Sequence, residues 1–227
     1  YSLRCAPAVI GAAWDAAEYF RGATAAELGA VTDNPLVFAG ARAGEAPIVS
    51  AGNFHGMPIA IPLDAVVMAI AHVAGISERR TFYLLSATDS ENPVPAYLSP
   101  RPGLHSGLMI AQYTAAACCN EIVGLCMPAS VANISTSAGM EDYNSFGPRA
   151  AAKARRALEL AVRVVAVELL CSAEAMEYHR PLRSGDGVEM AHSVVRGVVP
   201  RLSHDRPLSP DIESVADLIR RGAFSRN

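Results

Sequence analysis

The sequence predicts an all-α protein: a bundle of long helices joined by long loops. Three observations predict it. Apolar residues make up 51% of the 227 residues but aromatics only 6%, so the excess is small and aliphatic, mostly Ala, Val and Leu, which suit close helix packing. Apolar positions recur at three and four over windows longer than any strand. Glycine and proline gather in the connections, the pattern of a helical scaffold that carries its chemistry in loops. No repeat, low-complexity tract or internal linker divides residues 1–227, which read as one helical unit.

In chain order, residues 8–31 form an alanine-rich helix that ends at "TDNP", where the residue before Pro35 avoids the helical region. Residues 36–56 are glycine-rich without helical period and hold two short strands, 36–39 and 47–50. Pro58 and Pro62 open a long helix running to about residue 86. Its first half is apolar on every side, which predicts burial all round. Its run "IAIPLDAVVMAIAHVAGI" carries Pro62, Asp64 and His72, so it reads as a core helix rather than a membrane span.

Residues 87–107 are loop, with four prolines, and a helix follows over about 108–127, stopped by Pro128. Gly147-Pro148 starts the longest helix, which reaches Tyr178. Leu158, Val162, Val165, Leu169, Ala173 and Met176 give it one apolar stripe. Shorter helices cover about 186–199 and 210–221, the last introduced by "SPDIES".

Composition excludes several functions. A net charge of −3 leaves no electrostatic footprint for nucleic acid or an anionic membrane. Five cysteines, at 5, 118, 119, 126 and 171, include no CxxC pair and read as free thiols of a reducing compartment, the cytoplasm. No HExxH or acidic metal cluster, GxGxxG, P-loop or GxSxG occurs, so no metal is expected. So apolar a chain, with one helix hydrophobic around its circumference, is expected to self-associate.

The candidate chemistry lies in three loops. "SAGNFHGMP" sets Asn53, Phe54 and His55 between glycines, where a phenyl face can meet a ligand or merely plug a tight turn. "TSAGMEDYNSFG" sets Glu141 and Asp142 before a helix, as a general base or as a solvated pair favoured by the helix dipole. "YSLRC" offers Tyr1, a phenol for proton transfer, and Arg4, a fork for a carboxylate, or two surface residues. His72 and His192 lie in helical patterns and read as satisfied core or interface histidines.

Taken together, "YSLRC", "TDNPLVF", "GNFHG", "ISERR", "PGLHSGLMIAQYTAAA", "TSAGMEDYNSFG" and "KARRALE" occur in one order. They resemble the C-terminal half of the aromatic amino acid ammonia-lyase family, most closely its histidine-acting members, from Tyr1 to about Gly222. The resemblance implies elimination of ammonia from an aromatic amino acid, histidine to urocanate first. It implies an electrophile, a methylideneimidazolone, formed from an Ala-Ser-Gly tripeptide in the N-terminal half. This sequence contains no Ala-Ser-Gly; "SAG" at 50–52 and 137–139 has the wrong order. The chain is therefore expected to begin inside a catalytic loop of a longer enzyme, and to be inactive without its N-terminal part.

By the resemblance, Tyr1 is the loop tyrosine of proton transfer and Arg4 the carboxylate-binding arginine. Phe54 is the aromatic residue beside the electrophile, and Glu141 binds the imidazole or amine or acts as base. Asn34 reads as loop support. The family assembles as a homotetramer with sites made from several subunits. Two departures bear on the substrate. The histidine-acting members read Asn-Gln-Glu-Asp where this chain has Gly139-Met140-Glu141-Asp142, and Tyr143-Asn144-Ser145-Phe146 leans toward the phenylalanine pattern. A tyrosine or phenylalanine lyase, a 2,3-aminomutase and a non-catalytic helical scaffold are the other readings.

Overall fold

In the computed structural model residues 1–40, 42–45 and 47–225 are described; positions 41 and 46 of the glycine-rich loop and the last two residues lie outside them. Six helices occur among the described residues: Ala6–Leu28 (α1), Met57–Leu85 (α2), Met109–Leu125 (α3), Gly147–Tyr178 (α4), Asp186–Arg196 (α5) and Ser209–Arg220 (α6). The two strands shrink to Leu36–Val37 (β1) and Ile48–Val49 (β2), an antiparallel hairpin with Leu36 opposite Val49. The first helix stops three residues short of the expected end, at Leu28, and Gly29 follows as its cap.

Helices α2 and α4 pack along each other at the centre, with α1 on α2, α3 across both, and α6 on α4. The chain runs up α1 and back down α2: Ala8–Ala16 face Met68 and His72, while Phe20 and Thr24 face Ile59 and Leu63.

The stripe from Leu158 to Met176 is not the most buried face of α4; Leu158 is 56% exposed. The fully buried positions are Ala150, Ala157, Val164, Ala166, Val167 and Cys171. Helices α2, α3 and α6 all pack on α4, and the face they cover mixes small residues with Leu160 and Leu170, 3% and 2% exposed. One expectation, that α2 is buried on every side, fails. Ala60, Leu63, Val67 and Ala74 are enclosed, but Ile61 and Met68 are about half exposed and His72 faces solvent. Helices α1, α3 and α4 all pack on α2 yet leave these positions partly open. The α1 helix has no buried residue at all, and Trp14 is 67% exposed.

Length and composition alone would let α2 cross a membrane. Its polar residues instead tie it to the other elements. Asp64 accepts the Ala129 and Ser130 backbone N–H groups at 3.0 and 2.8 Å, and Glu78 accepts from Gln112 at 2.6 Å. All five cysteines are free thiols; burial pushes Cys119 up to about 11 and Cys171 higher still.

Candidate functional site

The loop between α1 and α2 is drawn tight by Asn34. Its side-chain oxygen accepts from the Ser50 hydroxyl at 3.2 Å and the Ala51 N–H at 3.0 Å, the supporting role expected of it. This closes the base of the hairpin and delivers Asn53–Gly56 to the start of α2. There His55 takes one tautomer: Nδ1 accepts the Met57 N–H at 3.3 Å, and Nε2 donates to the Tyr143 carbonyl at 2.9 Å. The two rings also stack, centroids 6.3 Å apart. Gly56 lies where the loops close, and a Cβ there would sit 2.9 Å from the Ser145 hydroxyl, which would have to turn aside. Phe54 is 58% exposed beside this seam, at the mouth of a groove of about 480 Å³.

The facing loop, 128–146, is pinned at both ends. Asp64 holds its start, and the Lys153 ammonium, 3.8 Å from Asp64, also donates to the Met127 carbonyl. Burial pushes the Asp64 carboxyl up, but the Ser130 and Ala129 N–H bonds and the Lys153 charge outweigh it and hold it below its ordinary value. Asn133 and Asn144 pair side chain to backbone at 2.8 and 3.0 Å. Inside that clamp Thr136 and Glu141 exchange backbone bonds at 2.9 and 3.3 Å across a turn with Ser137, Ala138 and Gly139 at positive φ. The Thr136 hydroxyl donates to Glu141 Oε2 at 2.9 Å. Thus one oxygen of an exposed carboxylate is held, and the other is open.

Tyr1 and Arg4 lie elsewhere. They form a helical turn feeding α1, closed by the Cys5 N–H on the Tyr1 carbonyl at 2.8 Å, with the Arg4 guanidinium 5.1 Å from the Tyr1 ring centre. Its neighbour is Arg80 of α2, which donates to the Ser2 carbonyl at 3.4 Å. Arg80 is 23 residues beyond Met57 on one continuous helix, a separation of about 34 Å at 1.5 Å per residue. The four sequence-derived residues are therefore two pairs at opposite ends of α2: Tyr1 with Arg4, and Phe54 with Glu141. Both pairs face outward.

Sequence reading placed His55 in its motif without giving it a task, and it is the residue that joins the two loops. Its position between glycines, 88 residues from Tyr143, gave no sign of that contact. His192 is satisfied as expected, on Glu177 at 2.8 Å, and His72 lies exposed at the groove between α1 and α2. No group of three or more metal-ligating side chains occurs among the described residues.

Residues 1–197 match the aromatic amino acid lyase family, and the match covers every loop described above. The chain belongs to that family. Histidine ammonia-lyase of Anaeromyxobacter sp. (strain K) is 49% identical over 224 residues, 99% of this chain and 43% of that protein. The crystal structure of histidine ammonia-lyase from Trypanosoma cruzi superposes with a TM-score of 0.93 at 42% identity, covering 99% of this chain and 43% of that one. Tyrosine aminomutase from Streptomyces globisporus gives 0.92 at 35% identity, with 99% and 42% covered. This aromatic amino acid lyase chain thus spans less than half the length of the relatives it matches, and corresponds to their C-terminal part.

Proposed function

We propose that this chain is the C-terminal part of an ammonia-lyase acting on an aromatic amino acid, histidine to urocanate, and that it contributes two half-sites to an assembly of several copies. The observation that carries the reading is the 49% identity to a histidine ammonia-lyase across 99% of the chain. The half-sites support it: a phenol and a guanidinium at one end and a phenyl face and a carboxylate at the other are exposed, open to completion by the rest of the protein or by another copy.

This donor set fits a site that presses an amino acid against an electrophile supplied by the rest of the protein. The family's electrophile, a methylideneimidazolone, would supply the electron acceptor that turns the amine into a leaving group. The chain's own residues would do the remainder. Arg4 takes the substrate carboxylate in a two-point grip that fixes the Cα–N bond direction. Tyr1 moves a proton at its phenol oxygen. Phe54 walls the ring side and keeps water out. Glu141, with one oxygen already on Thr136, offers the other to the imidazole or amine, or takes the β-proton.

Lacking Ala-Ser-Gly, the chain alone would release no ammonia. Incubating the complete protein with histidine, tyrosine and phenylalanine, and reading arylacrylate absorbance alongside β-amino acid formation, tests the reading. Urocanate from histidine supports it. A β-amino acid product would make the protein an aminomutase, as in the Streptomyces globisporus structure. No turnover of any of the three would favour a helical scaffold.

A further inference from the structure

The turn carrying Tyr1 and Arg4 has few ties to the rest of the molecule. The helix it feeds buries no residue, and among the described residues a single hydrogen bond links positions 1–5 to any element other than α1 itself. That bond comes from Arg80, whose own orientation is fixed. Its Nε bonds Glu168 Oε1, and its Nη2 donates to Glu168 Oε2 at 2.8 Å. The Ser77 hydroxyl donates to the same Oε2 at 2.6 Å. Both carboxylate oxygens are thus engaged, the guanidinium plane is set by α4, and Nη1 is delivered to the Ser2 carbonyl, one residue from Tyr1 and two from Arg4.

We propose that Arg80, locked by Glu168 and Ser77, is a positioning residue that sets the Tyr1–Arg4 turn for substrate binding. The inference rests on the reading of Arg4 given above. Arg80 touches no substrate; it acts through the turn, linking the long α4 helix to the Tyr1–Arg4 half-site. A planar fork is needed, because a lysine at 80 keeps the charge for Glu168 but cannot hold two oxygens and a third acceptor in one plane. A displacement of about 1 Å in a positioned group costs on the order of 10²-fold in rate.

The test is a double-mutant cycle in the complete protein, with kcat and KM measured for the parent, Arg80→Lys, Arg4→Lys and the double variant. Arg80→Lys is expected to lower kcat/KM by about 10–100-fold, yet by less than about 3-fold when Arg4 is already Lys. A purely structural role would lower the melting temperature and multiply the two defects. Arg80→Lys near parent, or full multiplication of the defects, overturns the inference while Arg4→Lys stays impaired. An Arg4→Lys enzyme near parent sinks the reading of the half-site, and this inference with it. Should Arg80→Lys fail to fold, Glu168→Gln, which keeps the shape but frees one oxygen contact, goes through the same cycle with the same expected coupling to Arg4.

Discussion

Replacing Asp64 with Asn should destabilise the chain and loosen the loop that holds Glu141. Asp64 is 4% exposed and accepts two backbone N–H bonds at 3.0 and 2.8 Å, while Lys153, 6% exposed, stands 3.8 Å away. Asparagine keeps the shape but turns one acceptor into a donor that faces an N–H group, a loss of about 1.5–3 kcal/mol for a charged acceptor. It also leaves the Lys153 charge without its partner, and breaking a buried pair costs about 3–5 kcal/mol. The two overlap in the same charge, so about 3–5 kcal/mol is expected in all. In urea at fixed protein concentration the midpoint should fall by about 1 M or more. Adding Lys153→Met removes the stranded charge, so the double variant should recover about 1–3 kcal/mol over the sum of the singles. A single-variant shift below about 0.3 M, or a double no better than additive, would refute the reasoning.

Glu189 accepts a two-point grip from Arg180 at 2.9 and 3.0 Å and the Ser184 N–H at 2.8 Å, and those bonds pull its carboxyl down to about 2. A lowered value in the folded state means stability is full above the ordinary carboxylate range and is lost as pH falls toward 2; Glu189→Gln should flatten that acid limb in a pH series of thermal melts, and an unchanged limb would contradict the assignment. Gly107 has φ +62, and a Cβ there would lie 2.5 Å from the Tyr97 carbonyl oxygen, so Gly107→Ala should cost about 2–4 kcal/mol by denaturation. Gly103, at φ +86 with open space around it, should lose only about 1–2 kcal/mol as Ala; equal losses at both would show that backbone conformation alone decides.

Much of the fold was written locally. Gly147-Pro148 marks the start of α4, and Asn34-Pro35 marks the hairpin. What the sequence could not show is which side of a uniformly apolar helix its own chain covers. Ile61 and Val67 look alike in sequence, yet one is 48% exposed and the other 1%. The site divides in the same way. The motifs named Tyr1, Arg4, Phe54 and Glu141, but motif order carries no distance, and only the rigid length of α2 shows that the two pairs stand far apart. The Arg80–Glu168 and His55–Tyr143 contacts, each 88 residues apart in sequence, were out of reach of any local pattern.

The central claim is that one active site draws its Tyr1–Arg4 half and its Phe54–Glu141 half from different copies of the chain. Complementation tests it most directly. Arg4→Ala and Glu141→Ala versions of the complete protein are purified separately, shown to be inactive, then co-expressed and co-purified as mixed assemblies. If the halves come from different copies, sites that take Arg4 from one variant and Glu141 from the other regain both, and random mixing should restore about a quarter of parental turnover. If both halves come from one copy, every site keeps one lesion, and mixed assemblies as inactive as the separate variants would contradict the account.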